Sequence, residues 1–256
     1  MLEEAEKTMK CELSHSFDIS REGYVNLLSG HRSGDSRGDS KEMARSRRDF
    51  LDKGYYSVLA EKLFRIMPLY CDKQSRVLDI CCGEGYYTSF LASRLKSYSF
   101  YGFDISKEMV RLASSRKSDA FFFVANLASV PVNDGSFDSS LHLFAPFNEN
   151  EFFRVLKKGG FLFSVIPGRN HLMGLKKILY ETPYPNDEAL PETSLFSVKD
   201  VYRVKSSVTI ENGEDIMSLF RMTPYFFRTP AKGIERLTLL EKLETEIEFI
   251  ITVYEK

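Results

Sequence analysis

The chain has 256 residues, 43% hydrophobic and 28% charged, which excludes a wholly disordered protein and suits one large domain, or a medium one with a small appendage. Its net charge is −1, so no global field draws it to nucleic acid. No apolar run approaches the ~20 residues of a membrane helix, and the charged start MLEEAEKTMK lacks the apolar stretch of a secretory signal; no membrane partner and a cytoplasmic location are expected.

Residues 1–55 are polar and mixed, and the loop His31–Ser40 (HRSGDSRGDS) is rich in Gly, Ser and Asp. From His31 to Arg48 the basic residues Arg32, Arg37, Lys41, Arg45, Arg47 and Arg48 face only Asp35, Asp39 and Glu42. That segment reads either as a local nucleic-acid contact or as a solvated charged face. Residues 56–167 alternate strand and helix patterns. Arg76–Cys81 is a strand candidate, and Tyr86–Lys96 has helical spacing, with Tyr87, Phe90, Leu91 and Leu95 on one face. Ser99–Phe103 is a strand. Lys107–Arg116 is a helix capped by Ser106. Phe121–Ala125 and Phe137–Phe144 are strands, Glu149–Lys157 is a helix ended by Gly159–Gly160, and Phe161–Ile166 is a strand. The alternation predicts an α/β fold with a doubly wound, mostly parallel sheet. In residues 168–256, Val201–Ile210 and Glu246–Tyr254 are late strand candidates, the last a candidate antiparallel addition. Four cysteines (Cys11, Cys71, Cys81, Cys82) do not make a disulfide framework, and Cys81 and Cys82 read as small core residues.

The stretch Asp79–Ile80–Cys81–Cys82–Gly83–Glu84–Gly85–Tyr86–Tyr87–Thr88 joins the first of these strands to its helix. In such sheets ligands bind beyond the carboxyl ends of the strands. Gly83 and Gly85 let the backbone approach a ligand. Asp104, nineteen residues past Gly85, can accept hydrogen bonds from both hydroxyls of a ribose. Thr88 stands where a dinucleotide motif has its third small residue. Asp79, four residues before Gly83, would repel a pyrophosphate and welcome an ammonium. The two acids suit S-adenosylmethionine, which has an ammonium, a sulfonium and a ribose but no phosphate. The bland reading is a tight turn with no ligand.

These residues resemble the first motif of class I S-adenosylmethionine-dependent methyltransferases, although that family usually has Gly at position 81. Gly102–Phe103–Asp104–Ile105–Ser106–Lys107–Glu108–Met109 resembles their second motif, and Val124–Ala125–Asn126, with Val130–Pro131 and Ser136–Phe137–Asp138, their third and the entry to the fourth. The resemblance implies a Rossmann-like, seven-stranded sheet over residues 56–256 with a small N-terminal appendage, 1–55. It places Asp104 and Ile105 at the ribose end of the cofactor, Asn126 at the adenine amino group and the Leu127 backbone at the adenine ring.

The flanks resemble bacterial methyltransferases that modify N1 of a guanine in large-subunit ribosomal RNA. The matching stretches include Phe17–Asp18, Glu22–Gly23–Tyr24–Val25–Asn26–Leu27–Leu28, Gly38–Asp39–Ser40 with Glu42–Met43, Arg48–Tyr56, Pro167–Met173 and Met222–Thr223–Pro224. Carried over by motif, cofactor contacts fall on Tyr56, Gly83, Glu84 and His171, and a homodimer is implied. Tyr56 could instead cover the sheet edge, and His171 could be a solvated helix start. The family's zinc set is incomplete: only Cys11 and His15 match it. Two ligands cannot close a tetrahedral site, so zinc is not expected in the chain as it stands. The shortfall reads as a lost metal or a missing natural start.

The place of an amino-methylating motif is taken by Leu143–Phe144–Ala145–Pro146–Phe147, which supplies no carboxylate. Phe144 or Phe147 could stack on a base or pack in the core, and no general base is nominated. Two other functions compete: a small-molecule methyltransferase with a lid, and a non-catalytic RNA-binding module on the same scaffold.

Overall fold

A computed structural model of the chain describes residues 2–5 (backbone only), 7–11, 15–28 and 40–256. Most of the loop expected at His31–Ser40, with Arg32 and Arg37, lies outside the described residues. In chain order the elements begin with β1 (Leu2–Ala5), β2 (Thr8–Cys11), β3 (Ser16–Asp18), β4 (Val25–Asn26), α1 (Lys41–Asp52) and α2 (Ser57–Ile66). Then come β5 (Arg76–Ile80), α3 (Tyr86–Arg94), β6 (Ser99–Asp104), α4 (Lys107–Ser114), β7 (Phe121–Val124), β8 (Phe137–Leu143) and α5 (Glu149–Val155). The last are β9 (Leu156–Pro167), α6 (Met173–Leu179), β10 (Ser197–Ile210), α7 (Gly213–Arg221), α8 (Ala231–Thr238) and β11 (Leu243–Glu255).

The main sheet has the order β10-β11-β9-β8-β5-β6-β7-β4. It is parallel except for β11, which runs antiparallel to both β9 and β10. The chain leaves β5 outward through β6 and β7, then returns to β8 on the other side of β5. This reversal opens a crevice beyond the carboxyl ends of β5 and β8, where such sheets hold ligands. The central strand β5 is buried on both faces from Val77 to Ile80, as parallel strands covered by helices require. Val77 faces a core filled from α2, α3, α6 and α7, while Leu78 and Ile80 face one built on Phe152 and Val155 of α5.

Two departures from the sequence-based expectations have local causes. The sheet has eight strands rather than seven, because Val25 and Asn26 pair in parallel with Phe123 and Val124. The helix expected to reach Lys157 stops at Val155. Leu156 turns extended and begins β9, and Lys256 Nζ takes over the freed carbonyls of Phe153 (2.5 Å) and Leu156 (2.6 Å).

The segment 1–55 divides in two. Strands β1–β3 form a separate three-stranded antiparallel sheet. Residues from Tyr24 onward join the body: Tyr24 packs with Val110, Ala113 and Phe122, and α1 buries Met43, Ala44, Phe50 and Leu51. Ser40 starts α1 by accepting from the Met43 N–H at 3.2 Å.

Helix α6 lies unusually close to β11. A Cβ on Gly174 would sit 2.2 Å from the Glu244 carbonyl oxygen and 2.9 Å from Thr245 Cα. Both are backbone atoms and cannot swing aside. Gly174→Ala is therefore expected to cost about 1–3 kcal/mol. Urea denaturation would show it as a lowered midpoint with an unchanged slope; an unchanged midpoint would mean that α6 yields freely.

Candidate active site

The crevice is organised by the turn after β5. Cys81, Gly83 and Gly85 all take positive φ values, +56°, +56° and +77°. The Cys82 N–H donates to the Phe103 carbonyl of β6 at 2.8 Å, and the Gly85 N–H to the Cys82 carbonyl at 3.1 Å. No side chain fits at Gly85, where a Cβ would lie 2.7 Å from Ala113 Cβ. At Gly83 a Cβ would meet only the Arg47 guanidinium, at 3.3 Å, so the missing side chain leaves a cradle there. Cys81 pays for its conformation: a left-handed residue with a β-carbon costs about 1–2 kcal/mol. The family's glycine at this place is thus explained by backbone shape rather than by packing. Burial pushes the Cys81 thiol up to about 12, so it is no nucleophile.

Asp79 is buried, and its carboxylate accepts from the Thr88 hydroxyl. Burial pushes its carboxyl up to about 7; the Thr88 bond opposes that shift and the Asp104 charge adds to it. Thr88, read in the sequence only as a departure from a dinucleotide motif, is therefore the residue that orients Asp79. Asp104 is fixed by two backbone donors, Gly83 N–H at 3.1 Å and Ser106 N–H at 2.8 Å. Ile105 lies between Asp104 and the capping Ser106. Asn126 and Leu127 follow β7. The Asn126 side-chain oxygen accepts from Ala128 N–H at 3.0 Å, and the Leu127 carbonyl from the Asn148 amide at 3.3 Å. The turn, Asp104 and Asn126 thus stand at the carboxyl ends of three adjacent strands, β5, β6 and β7.

Tyr56 and His171, 115 residues apart, meet in the interior at 3.2 Å between the hydroxyl and Nε2. Both are buried, so neither covers a sheet edge nor starts a solvated helix. Glu248 N–H donates to His171 Nδ1 at 3.3 Å. The proton therefore sits on Nε2, and the imidazole donates to Tyr56. The tyrosine ring is held edge-on by Phe50, His171 and Phe249.

Glu84 is buried and turned toward Arg116, which donates to it through Nε (2.7 Å) and Nη2 and pairs with Asp52 through Nη1 (2.7 Å). Its other carboxylate oxygen, and the buried hydroxyl of Tyr87, have no hydrogen-bond partner among the described residues. Phe144 and Phe147 separate. Phe144 is 44% exposed, with φ +58°, beside Phe249. Phe147 packs on His142, Phe152 and Tyr254.

The cradle at Gly83, the two acids and an unsatisfied buried hydroxyl fit S-adenosylmethionine. Zinc fares differently. Cys11 Sγ and His15 Nδ1 do come together, at 3.4 Å, yet no third His, Cys, Asp or Glu joins them among the described residues. Those residues do not make a tetrahedral site.

The site carries two opposed proton linkages. Burial, aided by Lys176, holds the His171 imidazole down to about 3. Its contribution to stability is full above its ordinary value of 6.5 and is lost as pH falls toward 3. Asp79 runs the other way: its burial penalty is absent below its ordinary 3.8 and grows as pH rises toward about 7. Between these ranges the two cancel in part. His171→Gln should make the slope of unfolding free energy against pH more negative by about 1.4 kcal/mol per pH unit, and Asp79→Asn more positive by the same amount. Denaturant titrations across about pH 4.5–6.5 check both signs.

Comparison with known proteins agrees with this fold. A methyltransferase-domain family model matches residues 77–160, and a zinc-ribbon model described as RlmA, N-terminal, matches residues 1–32. The solved YcgJ protein from Bacillus subtilis superposes with a TM-score of 0.52 at 18% identity, covering 77% of this chain and 97% of that one, and shares the fold. Among curated sequences, the 23S rRNA (guanine(748)-N(1))-methyltransferase of Streptomyces fradiae is 33% identical over 68% of this chain and 62% of its own length. YxjB of Bacillus subtilis, provisionally named a 23S rRNA (guanine-N(1)-)-methyltransferase, is 31% identical over 93% of this chain and 86% of its own length. With that identity sustained over 93% of its length, the chain belongs to the 23S rRNA (guanine-N1)-methyltransferase family.

Proposed function

We infer that the protein transfers a methyl group from S-adenosylmethionine to N1 of a guanine in 23S ribosomal RNA. The observation that carries this is the reach of the similarity, 93% of the chain in one relative, well beyond the cofactor-binding strands. A small-molecule methyltransferase or a non-catalytic module with the same scaffold would not need the shared flanks.

S-adenosylmethionine, when bound, supplies an electrophilic methyl group on a sulfonium. The chain's part is to bind, orient and exclude water. In this proposal Asp104 holds the ribose hydroxyls, with Ile105 beside it. Asn126 and the Leu127 backbone hold the adenine, and Gly83, Glu84 and Gly85 shape the turn under the methionine arm. Asp79 lies behind that turn, and Tyr56, set by His171, faces the arm. Guanine N1 bears a proton and lies on the Watson–Crick edge, so the base must be unpaired and turned into the crevice. Neither buried histidine is placed to accept that proton. His142 is bonded at both ring nitrogens, to Ser164 (2.9 Å) and the Ala145 carbonyl (2.8 Å), and His171 is likewise engaged at both.

Two finer points belong to the same proposal: the enzyme acts as a homodimer, to be checked by sedimentation, and works in the cytoplasm. Among the described residues no helix is long and apolar enough to cross a membrane.

The test is transfer from labelled S-adenosylmethionine to protein-free 23S RNA, with nucleoside analysis. Labelled 1-methylguanosine and a primer-extension stop are expected; another methylated nucleoside would overturn the reading. Phe144, exposed at the end of β8, is assigned to stack on the guanine. Phe144→Ala should lower kcat/KM for RNA about 10–100-fold, the worth of one stacked base, and leave affinity for S-adenosylhomocysteine unchanged. Phe147→Ala should instead cost about 2–3 kcal/mol of stability.

A further inference from the structure

Arg47 belongs by sequence to the basic run that ends at Arg48, but it is half-buried where Lys41 and Arg45 are exposed. Helix α1 is pinned on both sides of it. Phe50 is buried against Tyr55 and Tyr56. Arg48 donates to the Leu112 carbonyl (3.0 Å) and the Ser115 hydroxyl (2.6 Å) at the end of α4, and pairs with Asp52. Held this way, α1 delivers the Arg47 guanidinium to the open side of Gly83, 3.3 Å from where a Cβ would stand.

A second feature points to the same place. Tyr87, in the first turn of α3, is buried with its hydroxyl unsatisfied among the described residues. Tyr87 follows Gly83 by four residues, with its ring 5.1 Å from that of Tyr86, and the Arg47 charge acts on its hydroxyl. A buried hydroxyl without a partner is costly and persists where a ligand completes it. The charge of the acid in the turn, Glu84, is offset by its ion pair with Arg116. A guanidinium over a glycine cradle, with an unsatisfied phenol on the helix that the same turn begins, is a donor set for a carboxylate.

We propose that Arg47 and Tyr87 together bind the carboxylate of the cofactor's methionine arm. The assignment rests on the S-adenosylmethionine reading above and adds two binding residues that the motifs did not nominate. It also removes Arg47 from the RNA-facing charges.

Calorimetric titration with two ligands tests it: S-adenosylhomocysteine, which keeps the carboxylate, and 5′-methylthioadenosine, which lacks the amino-acid arm. Arg47→Met should weaken S-adenosylhomocysteine about 10–100-fold, as expected for a lost charge-assisted pair. Its affinity for 5′-methylthioadenosine should stay within about twofold, which also shows that the variant is folded. Tyr87→Phe should weaken S-adenosylhomocysteine by about 5–10-fold while the Tm of the ligand-free protein holds or rises, by about 2–4 °C for each kcal/mol regained. Equal effects on the two ligands, or a lowered Tm for Tyr87→Phe, would overturn the proposal. Should Arg47→Met lose both ligands, Arg47→Lys decides: selective weakening of S-adenosylhomocysteine upholds it, equal loss overturns it. Failure of the unaltered protein to bind either ligand would instead sink the cofactor reading itself.

Discussion

The close passage of Gly85 against α4 is the constraint from which the site follows. Ala113 and Phe122 leave no space for a side chain there, and the same glycine takes the left-handed conformation from which α3 begins. That turn sends α3 back over the sheet with Thr88 under Asp79, and it brings the Gly83 N–H to the Asp104 carboxylate. One steric limit therefore sets the end of β5, the direction of α3 and the orientation of both acids. The left-handed Cys81 shows how strongly the shape is imposed, since it is kept even where the residue resists it.

Around the turn, the site is finished by elements from outside the alternating core. Helix α1 supplies Arg47, Phe50 and the Asp52 carboxylate that shares Arg116 with Glu84. From the other side, β11 fixes the stretch after β9. The Glu248 carboxylate accepts from Asn170 N–H at 2.8 Å, its carbonyl from Gly168 N–H at 2.7 Å, and its N–H donates to His171. Tyr56, where these two supports meet, is held by ring contacts and one hydrogen bond rather than by charge. Such a centre holds its geometry without competing for a polar ligand.

The strands from Arg76 to Ile166 were legible in the sequence because each is a short apolar run bounded by a turn signal, at the spacing that parallel pairing demands. Strand β4 was not: two residues carry no periodicity, and only the sheet edge beside β7 makes Val25–Asn26 a strand. The helix after Asn148 stops short of Gly159–Gly160 because the Lys256 ammonium, a hundred residues away, takes up its last carbonyls. The turn and its two flanking acids, Asp79, Gly83, Gly85 and Asp104, stand out as candidates by their spacing along one strand–turn–helix–strand unit. Arg47 and Tyr87 do not. A count of basic residues does not show that Arg48 is spent on the end of α4, or that its neighbour faces a glycine. Glu84, which the resemblance gives as a cofactor contact, is buried and paired with Arg116, whose place in the chain gave no hint of it.

The dependence of His171 on Glu248 has a consequence for the order of events during translation. A protein emerging residue by residue folds its earlier units first, and the β5–β9 strands can pair before β11 exists. The imidazole that orients Tyr56 is nevertheless set by a strand beginning at Leu243. A nascent chain can thus own a nearly complete sheet while its site is still unaligned. The Tyr56–His171 pair therefore takes its final geometry only once β11 lies between β9 and β10.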